Sequence, residues 1–379
     1  MKVAVGTHAR VLAACVSLVI VLSGCAPAGD DSEQVEREPV PFPVVQTYPD
    51  IDVIENLAYG AGPDAGGAEI LVDVCLPEVS TKPASVTVEP AAGTDEVVND
   101  EAVTDDATTD EGVRDGTVPD DAVTDGTVPD DAVTDGTVPD EVVTASTARA
   151  AVLSVHGGSW RQGDKADLYW RSACQWLASE GFVAFSVNYR LAPANPYPAA
   201  IDDLRQVVRW LRDDAQVERF DIDPDRIGAF GGSAGGNLVS LLGLEGTGDV
   251  TEGSRVAAVV NLSGPIDLTT DGFALGGVVP AFRQVQLDYL GCASYADCPQ
   301  ALPASPLYSV DESDPPFFVG HSLEEMIPVQ QSDALVELLR GAGVDTTYLN
   351  IEGNLHSIAM LDDPIRLQIA DWLRGKLEP

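Results

Sequence analysis

From residue 149 onward the apolar positions fall into short unbroken runs separated by longer stretches in which apolar residues recur every three or four positions. The runs AAVLSVHGG, FVAFSVNYR, RIGAFGGS, AAVVNLSG, PPFFVGHS and TTYLNIEG carry β-branched and aromatic side chains and are bounded by Gly, Pro, Asn or Asp. Runs of this kind predict strands buried on both faces. The stretches YWRSACQWLASEG, AAIDDLRQVVRWLRDDA, SDALVELLRGAG and DPIRLQIADWLRGKLE have the period of amphipathic helices. Upstream, EILVDVCLP reads as one more strand. Strands alternating with helices predict an α/β chain whose mostly parallel sheet is covered by helices on both faces. In such sheets ligands gather at the carboxyl ends of the strands.

Two segments break this pattern. The first is the amino-terminal stretch, where Lys2 and Arg10 precede an apolar run from Val11 to Leu22. That is the layout of a secretory signal peptide, and its apolar run is short for a bilayer span. It ends in Leu22, Ser23, Gly24 and Cys25, which resembles the lipobox of bacterial lipoproteins; cleavage at small residues with Cys25 as a bystander is the plainer alternative. The expectation is a signal peptide over 1–24, lipidation at Cys25, a flexible tether over 25–45 and attachment to the outer face of a bacterial membrane through acyl chains. The second segment, residues 93–147, contains DGTVPDDAVT at 115–124, an identical copy at 125–134 and a variant at 135–144. Acidic side chains crowd residues 95–141, with Arg114 their one basic neighbour. So polar and self-repelling a stretch cannot bury enough apolar surface to offset the entropy of ordering it. It is expected to be a disordered, solvated insertion within a domain running from 46 to 379, either a tolerated loop expansion or a cation-binding tract.

Charge narrows the partners. With 21 basic against 61 acidic side chains and a formal net charge of -40, a basic surface for nucleic acid or anionic lipid is excluded as a mode of binding. Of the six cysteines, Cys15 and Cys25 lie in the leader pattern, leaving four in the body. An even remainder in an exported chain suggests disulfides. Cys292 and Cys298 bracket the short polar loop GCASYADCP and are expected to pair, which leaves Cys75 and Cys174 for each other. Four histidines in the whole chain give no zinc-site spacing with these cysteines, and no cofactor is expected.

The glycine-rich stretch RIGAFGGSAGGNLVSLLG at 226–243 poses the chemical question. As a P-loop it fails, because Asn237 and Leu238 stand where Lys and Ser or Thr must follow the second glycine. What fits is G-x-S-x-G over Gly231 to Gly235, with a strand-like run before and a helix-like run after, the context of a nucleophile elbow around Ser233. An ordinary serine in a glycine-rich strand-to-helix turn would look the same, so the motif needs partners.

Those partners are present in order. HGGSW at 156–160, NYRLAP at 188–193, DIDPDRIGAFGGSAGGN at 221–237, SPLY at 305–308 and a late His356 together resemble the α/β-hydrolases of the esterase and lipase kind, near the hormone-sensitive-lipase-like and carboxylesterase group. The resemblance covers nearly everything after residue 46 except the insertion. It implies an α/β-hydrolase fold with a small cap, formed here by residues 271–303, and cleavage of a small-molecule carboxylic ester through an acyl-enzyme. It implies Ser233 as nucleophile and His356 as base, since the base follows the acid in this fold and His321 comes too early. It implies backbone amides of Gly157, Gly158 and Ala234 as oxyanion donors. Trp160 is either a pocket wall or a core residue. Relatives carry an Asp four residues before a Pro at the acid position; here Glu324 stands four before Pro328 and is the expected acid, with Glu325 and Asp267 as rivals. Peptidase or lipase chemistry would use the same triad. The alternative of another class is a non-catalytic surface lipoprotein that keeps the scaffold but has drifted in its acid.

Overall fold

The computed structural model describes residues 46–61, 69–78 and 148–378. The expected signal peptide, tether, lipidated Cys25 and acidic insertion lie outside the described residues.

Eight strands form one sheet. In chain order they are β1 (Asp52–Ala61), β2 (Glu69–Leu76), β3 (Arg149–Val155), β4 (Val183–Val187), β5 (Ile222–Gly232), β6 (Ala258–Leu262), β7 (Phe317–Ser322) and β8 (Thr346–Ile351). Their spatial order is β1-β2-β4-β3-β5-β6-β7-β8. β1 and β2 are antiparallel to each other, and β2 to β4, while every pair from β4 to β8 is parallel. This is the mostly parallel sheet expected from the alternation of strand and helix patterns, and the α/β-hydrolase fold that the resemblance implied.

The buried side chains form two layers, as a sheet covered on both faces requires. One layer packs the sheet against α2 (Ala199–Leu211) and α4 (Ala234–Gly243), with α6 (Val329–Gly341) beside them, through Leu204, Leu238 and Leu335. The other packs it against α1 (Leu168–Ser179) and α7 (Asp363–Leu377), through Leu177, Ile369 and Leu373. Burial on both sides explains why β3, β4 and β6 read as continuous apolar runs. The remaining helices are α3 (Asp214–Phe220) and α5 (Pro280–Leu290), the latter inside the segment expected to form a cap.

Two elements differ from the sequence expectation. β1 went unpredicted because Asn56 takes a left-handed conformation, φ 58°, and the pairing with β2 slips twice, so the strand lacks a clean two-residue alternation. The helix expected over 199–215 stops at Leu211, and α3 starts afresh at Asp214. Arg212 at the break donates to the carbonyls of Pro224, Val250 and Gly253, which ties the chain to the loops beneath it. Both disulfides are formed, Cys292 to Cys298 and Cys75 to Cys174, the second pinning β2 to α1.

One buried ion cluster fixes the loop that leaves β3. Asp73 of β2 has no exposure and accepts from Lys165 Nζ at 2.8 Å, Arg171 at 2.5 Å and the Asn56 amide at 2.8 Å. Lys165 is itself buried and also donates to Asn56 Oδ1. The loop carrying Lys165 begins at His156, so this cluster anchors the HGG segment. Removing the carboxylate leaves a buried ammonium uncompensated, a loss of about 3–5 kcal/mol for such pairs. Asp73→Asn is therefore expected to lower unfolding free energy by that amount in urea titration; a change below about 1 kcal/mol would mean the cluster is not holding the loop.

Candidate active site

The carboxyl ends of β3, β5, β6, β7 and β8 converge on Ser233. This residue directly follows β5 and begins the turn into α4, with φ 56° and ψ -124°. Such a backbone is strained for a residue with a Cβ and persists only where the surroundings fix it. They do so by contact: a Cβ built on Gly231 would lie 2.5 Å from the Gly235 carbonyl oxygen, and one on Gly235 would lie 2.1 Å from the Val155 oxygen at the end of β3. The Ser233 amide donates to the Leu262 carbonyl at the end of β6, at 2.9 Å. Ser233 is thus presented at the amino-terminal end of α4, where the helix dipole favours developing negative charge.

The HGG segment lies against this elbow. A Cβ on Gly157 would sit 2.9 Å from the Gly232 carbonyl oxygen and 3.2 Å from Ser233 Cβ, so Gly157 is a neighbour of Ser233 and any side chain there would crowd it. Gly158, at φ 113°, turns the chain and accepts from the Arg161 and Gln162 amides. His156 is buried, stacks on Tyr189 at 4.3 Å and faces the Gly157 carbonyl through Nδ1 at 2.8 Å. Burial pushes its pKa down, which keeps the ring neutral as a support of this segment. Trp160 is fully buried, stacks on Tyr289 of α5 at 4.4 Å and donates to Asn237 of α4 at 3.2 Å. Of the two readings of Trp160, the structure gives packing: it joins α4 to α5.

His356 arrives from the far edge of the sheet. The loop after β8 crosses the ends of β7 and β6 before reaching β5. Ser322 at the end of β7 donates to the Leu355 carbonyl at 2.6 Å, and the Ser357 amide donates to Ser263 Oγ, just beyond β6, at 3.1 Å. The loop then closes on the elbow itself, since a Cβ on Gly232 would fall 2.0 Å from Ser357 Oγ. His356 and Ser233 are consequently each one residue away from the same contact.

The carboxylate that meets His356 belongs to Glu325, not to Glu324. Glu325 Oε2 accepts from His356 Nδ1 in a short contact, and the Glu325 side chain has no exposure. Glu324 points to solvent. The ladder between β7 and β8 explains the difference. It continues past the strand ends, with the Leu323 amide on the Ile351 carbonyl and the Glu324 amide on the Gly353 carbonyl, both at 2.9 Å. Glu324 is held on the outside of that turn, and the chain comes inward only at the next residue. The rival Asp267 is buried elsewhere, its carboxylate accepting from Thr269 and from Tyr308 Oη. Counting back from Pro328 selects Glu324, whereas counting forward from His321 gives Glu325 at i+4, and the second spacing is the one the turn obeys.

His321 is the residue that sequence reasoning set aside and the structure brings back. It is fully buried at the end of β7. Its Nδ1 lies 2.6 Å from Ser332 Oγ, and its Nε2 lies 2.9 Å from the Ile327 carbonyl and 3.1 Å from Glu325 Oε1. Glu325 therefore sits between two histidines.

Comparison with known proteins agrees with this architecture. Residues 142–339 match the BD-FAE family, a span that includes the HGG segment, the elbow and Glu325 and stops before His356. The chain is 32% identical over 203 residues to a probable carboxylic ester hydrolase, LipM, of Mycobacterium tuberculosis, covering 51% of this chain and 46% of that protein. It is 32% identical over 225 residues to the esterase LipC of the same organism, covering 56% and 53%. The chain spans about half the length of the curated relatives it matches. Among solved structures, a truncated carbohydrate esterase from gut microbiota superposes with a TM-score of 0.58 at 18% identity, covering 86% of this chain and 97% of that one. The Est2 esterase of Thermogutta terrifontis gives 0.54 at 19% identity, covering 87% and 95%. With a family match over more than half its length and a sheet whose strand ends carry the elbow of that fold, the chain belongs to the BD-FAE family and is an α/β-hydrolase.

Proposed function

We propose that the protein is a serine carboxylesterase in which Ser233, His356 and Glu325 form the triad. The observation that carries the reading is the buried Glu325 carboxylate on His356 Nδ1, at the end of a loop that closes on the residue before Ser233. The names of the curated relatives, an esterase and a probable carboxylic ester hydrolase, support the same chemistry.

A free serine hydroxyl is a weak nucleophile at neutral pH and needs a base to take its proton as it attacks. With Nδ1–H donated to Glu325, the neutral imidazole of His356 is fixed in the tautomer whose Nε2 is free to accept. Ser233 Oγ adds to the ester carbonyl while its proton passes to His356 Nε2. The carbonyl oxygen becomes an oxyanion beside Gly157, where the amides of Gly157, Gly158 and Ala234 are the proposed donors. Collapse of this intermediate breaks the bond to the alcohol oxygen, which leaves with the proton from His356. Water then repeats the sequence on the acyl-enzyme: His356 takes its proton, the carbonyl is attacked, and the acid departs as Ser233 regains its hydrogen. Glu325 carries no proton at any step; it orients the imidazole and stabilises its charged form.

We also propose that the enzyme works outside the cell on a lipid anchor at Cys25. The leader pattern supports this reading, as do two disulfides, which persist in oxidising compartments.

Hydrolysis of short-chain aryl esters by the full chain tests the triad. Ser233→Ala is expected to reduce kcat by at least about a thousandfold, and Glu325→Gln by a comparable factor, with Glu324→Gln within about threefold of wild type. Equal effects at the two glutamates, or activity that survives at Ser233→Ala, would contradict the assignment. Gly157→Ala tests the oxyanion side: a methyl group between Gly232 and Ser233 is expected to lower kcat by about a hundredfold or more, measured beside a circular dichroism melt that shows the fold intact.

A further inference from the structure

The buried acid of the triad raises a question of its own. A carboxylate with no exposure costs several kcal/mol unless donors meet its oxygens. Glu325 Oε2 has His356, but Oε1 has no aligned hydrogen-bond donor among the described residues. The polar group that approaches Oε1 is His321 Nε2, at 3.1 Å, with the ring more nearly aligned on the Ile327 carbonyl at 2.9 Å.

These contacts decide the tautomer. Two acceptor oxygens, one from Ile327 and one from Glu325, surround Nε2, and a bare lone pair there would face both of them. Nε2 therefore carries the hydrogen. Nδ1 is then the acceptor, and Ser332 Oγ, 2.6 Å away on α6, is its donor. Burial lowers the pKa of His321, so the ring stays neutral with one hydrogen rather than two. The result is a chain that ends on the carboxylate from both sides: the Ser332 hydroxyl donates to His321, His321 Nε2–H points at the Ile327 carbonyl and Glu325 Oε1, and His356 Nδ1–H donates to Glu325 Oε2.

We infer that His321 is a positioning residue for the hydrolytic reaction: its single Nε2–H pins Ile327, two residues beyond Glu325, and offsets the charge on Glu325 Oε1, so that Oε2 is held on His356 Nδ1. The inference rests on the triad proposed above. It also accounts for the placement of the acid on a short loop. Between the β7 end and α6, residues 323–326 form a turn with exposed Leu323, Glu324 and Met326, and a lone carboxylate on it would otherwise be free to rotate out to water. His321 and Ser332 tie that turn to the two rigid elements on either side of it.

The inference separates variants of like size. In His321→Leu the ring volume is largely kept and the donor is lost. In His321→Gln the side-chain amide carries two hydrogens, one for each of the two acceptors. Steady-state kinetics on aryl esters is expected to show kcat down about 10- to 100-fold in His321→Leu with KM within about twofold, from loss of the hydrogen bond to Ile327 and of the N–H facing Glu325 Oε1. His321→Gln is expected to recover to within about fivefold of wild type. A second readout is independent of turnover: the His356 Nδ1–H proton, which a carboxylate acceptor moves far downfield in the proton NMR spectrum, is expected in wild type and His321→Gln and lost to solvent exchange in His321→Leu. If that resonance persists unchanged in a folded His321→Leu, or if Leu and Gln variants lose kcat alike, His321 does not position the acid. Should wild type show the resonance but hydrolyse no ester, the esterase reading fails while the resonance still decides the role of His321.

Discussion

A carboxylate sealed from water must be met by donors, and the Glu325 side chain is met by one histidine on each side. That requirement organises the carboxyl edge of the sheet. It draws the turn after β7 inward at Glu325 and brings the loop after β8 across to present His356. It also gives a purpose to the path of that loop, which is fastened at the β7 end through Ser322, beyond β6 through Ser263, and at the β5 elbow through Ser357 against Gly232. Parallel strands make such a crossing possible, because all four carboxyl ends open on the same edge. The loop carrying His356 travels over three strand ends and closes against Gly232, the residue before Ser233.

The other half of the site is held by a different kind of force. Around Ser233 the fixing agent is steric: backbone approaches too close for any Cβ at Gly231 and Gly235, and the Ser357 side chain against Gly232, hold Ser233 at its positive φ. Around the HGG segment it is ionic, through the buried Asp73, Lys165 and Arg171 cluster, and aromatic, through Trp160 on Tyr289 and His156 on Tyr189. These supports lie on elements far apart in sequence, from β2 to α5, so the precision of the site depends on the whole sheet being folded.

What was legible in the sequence follows from how local each signal is. Buried parallel strands announce themselves because both faces are apolar, so β3 to β8 could be read directly, as could α1, α4, α6 and α7, whereas α3 and α5 were not read as helices. β1 could not, since its bulges and left-handed Asn56 are consequences of pairing with β2 rather than of its own pattern. The sharp turn at Ser233 was legible from its glycines, and the position of His356 from its place after the last strand. The carboxylate expected on His356 was that of Glu324, and the structure places Glu325 there. Nothing in the residues 321–328 distinguishes two adjacent glutamates; the ladder contacts that continue from β7 to Gly353 do, and these are tertiary. His321 was set aside because it comes too early in the chain to be the base, while its spacing of four to Glu325 was the available signal.

The proposed chemistry requires Ser233 to be an activated nucleophile. The most direct measurement is to react the full chain with a fluorophosphonate, which phosphonylates a serine hydroxyl only when a neighbouring base draws off its proton, and to map the adduct by mass spectrometry after tryptic digestion. The account predicts one phosphonyl group on the peptide spanning residues 227–255, localised by fragmentation to Ser233 rather than Ser240 or Ser254. No adduct on a folded protein, or an adduct confined to another residue, would contradict it.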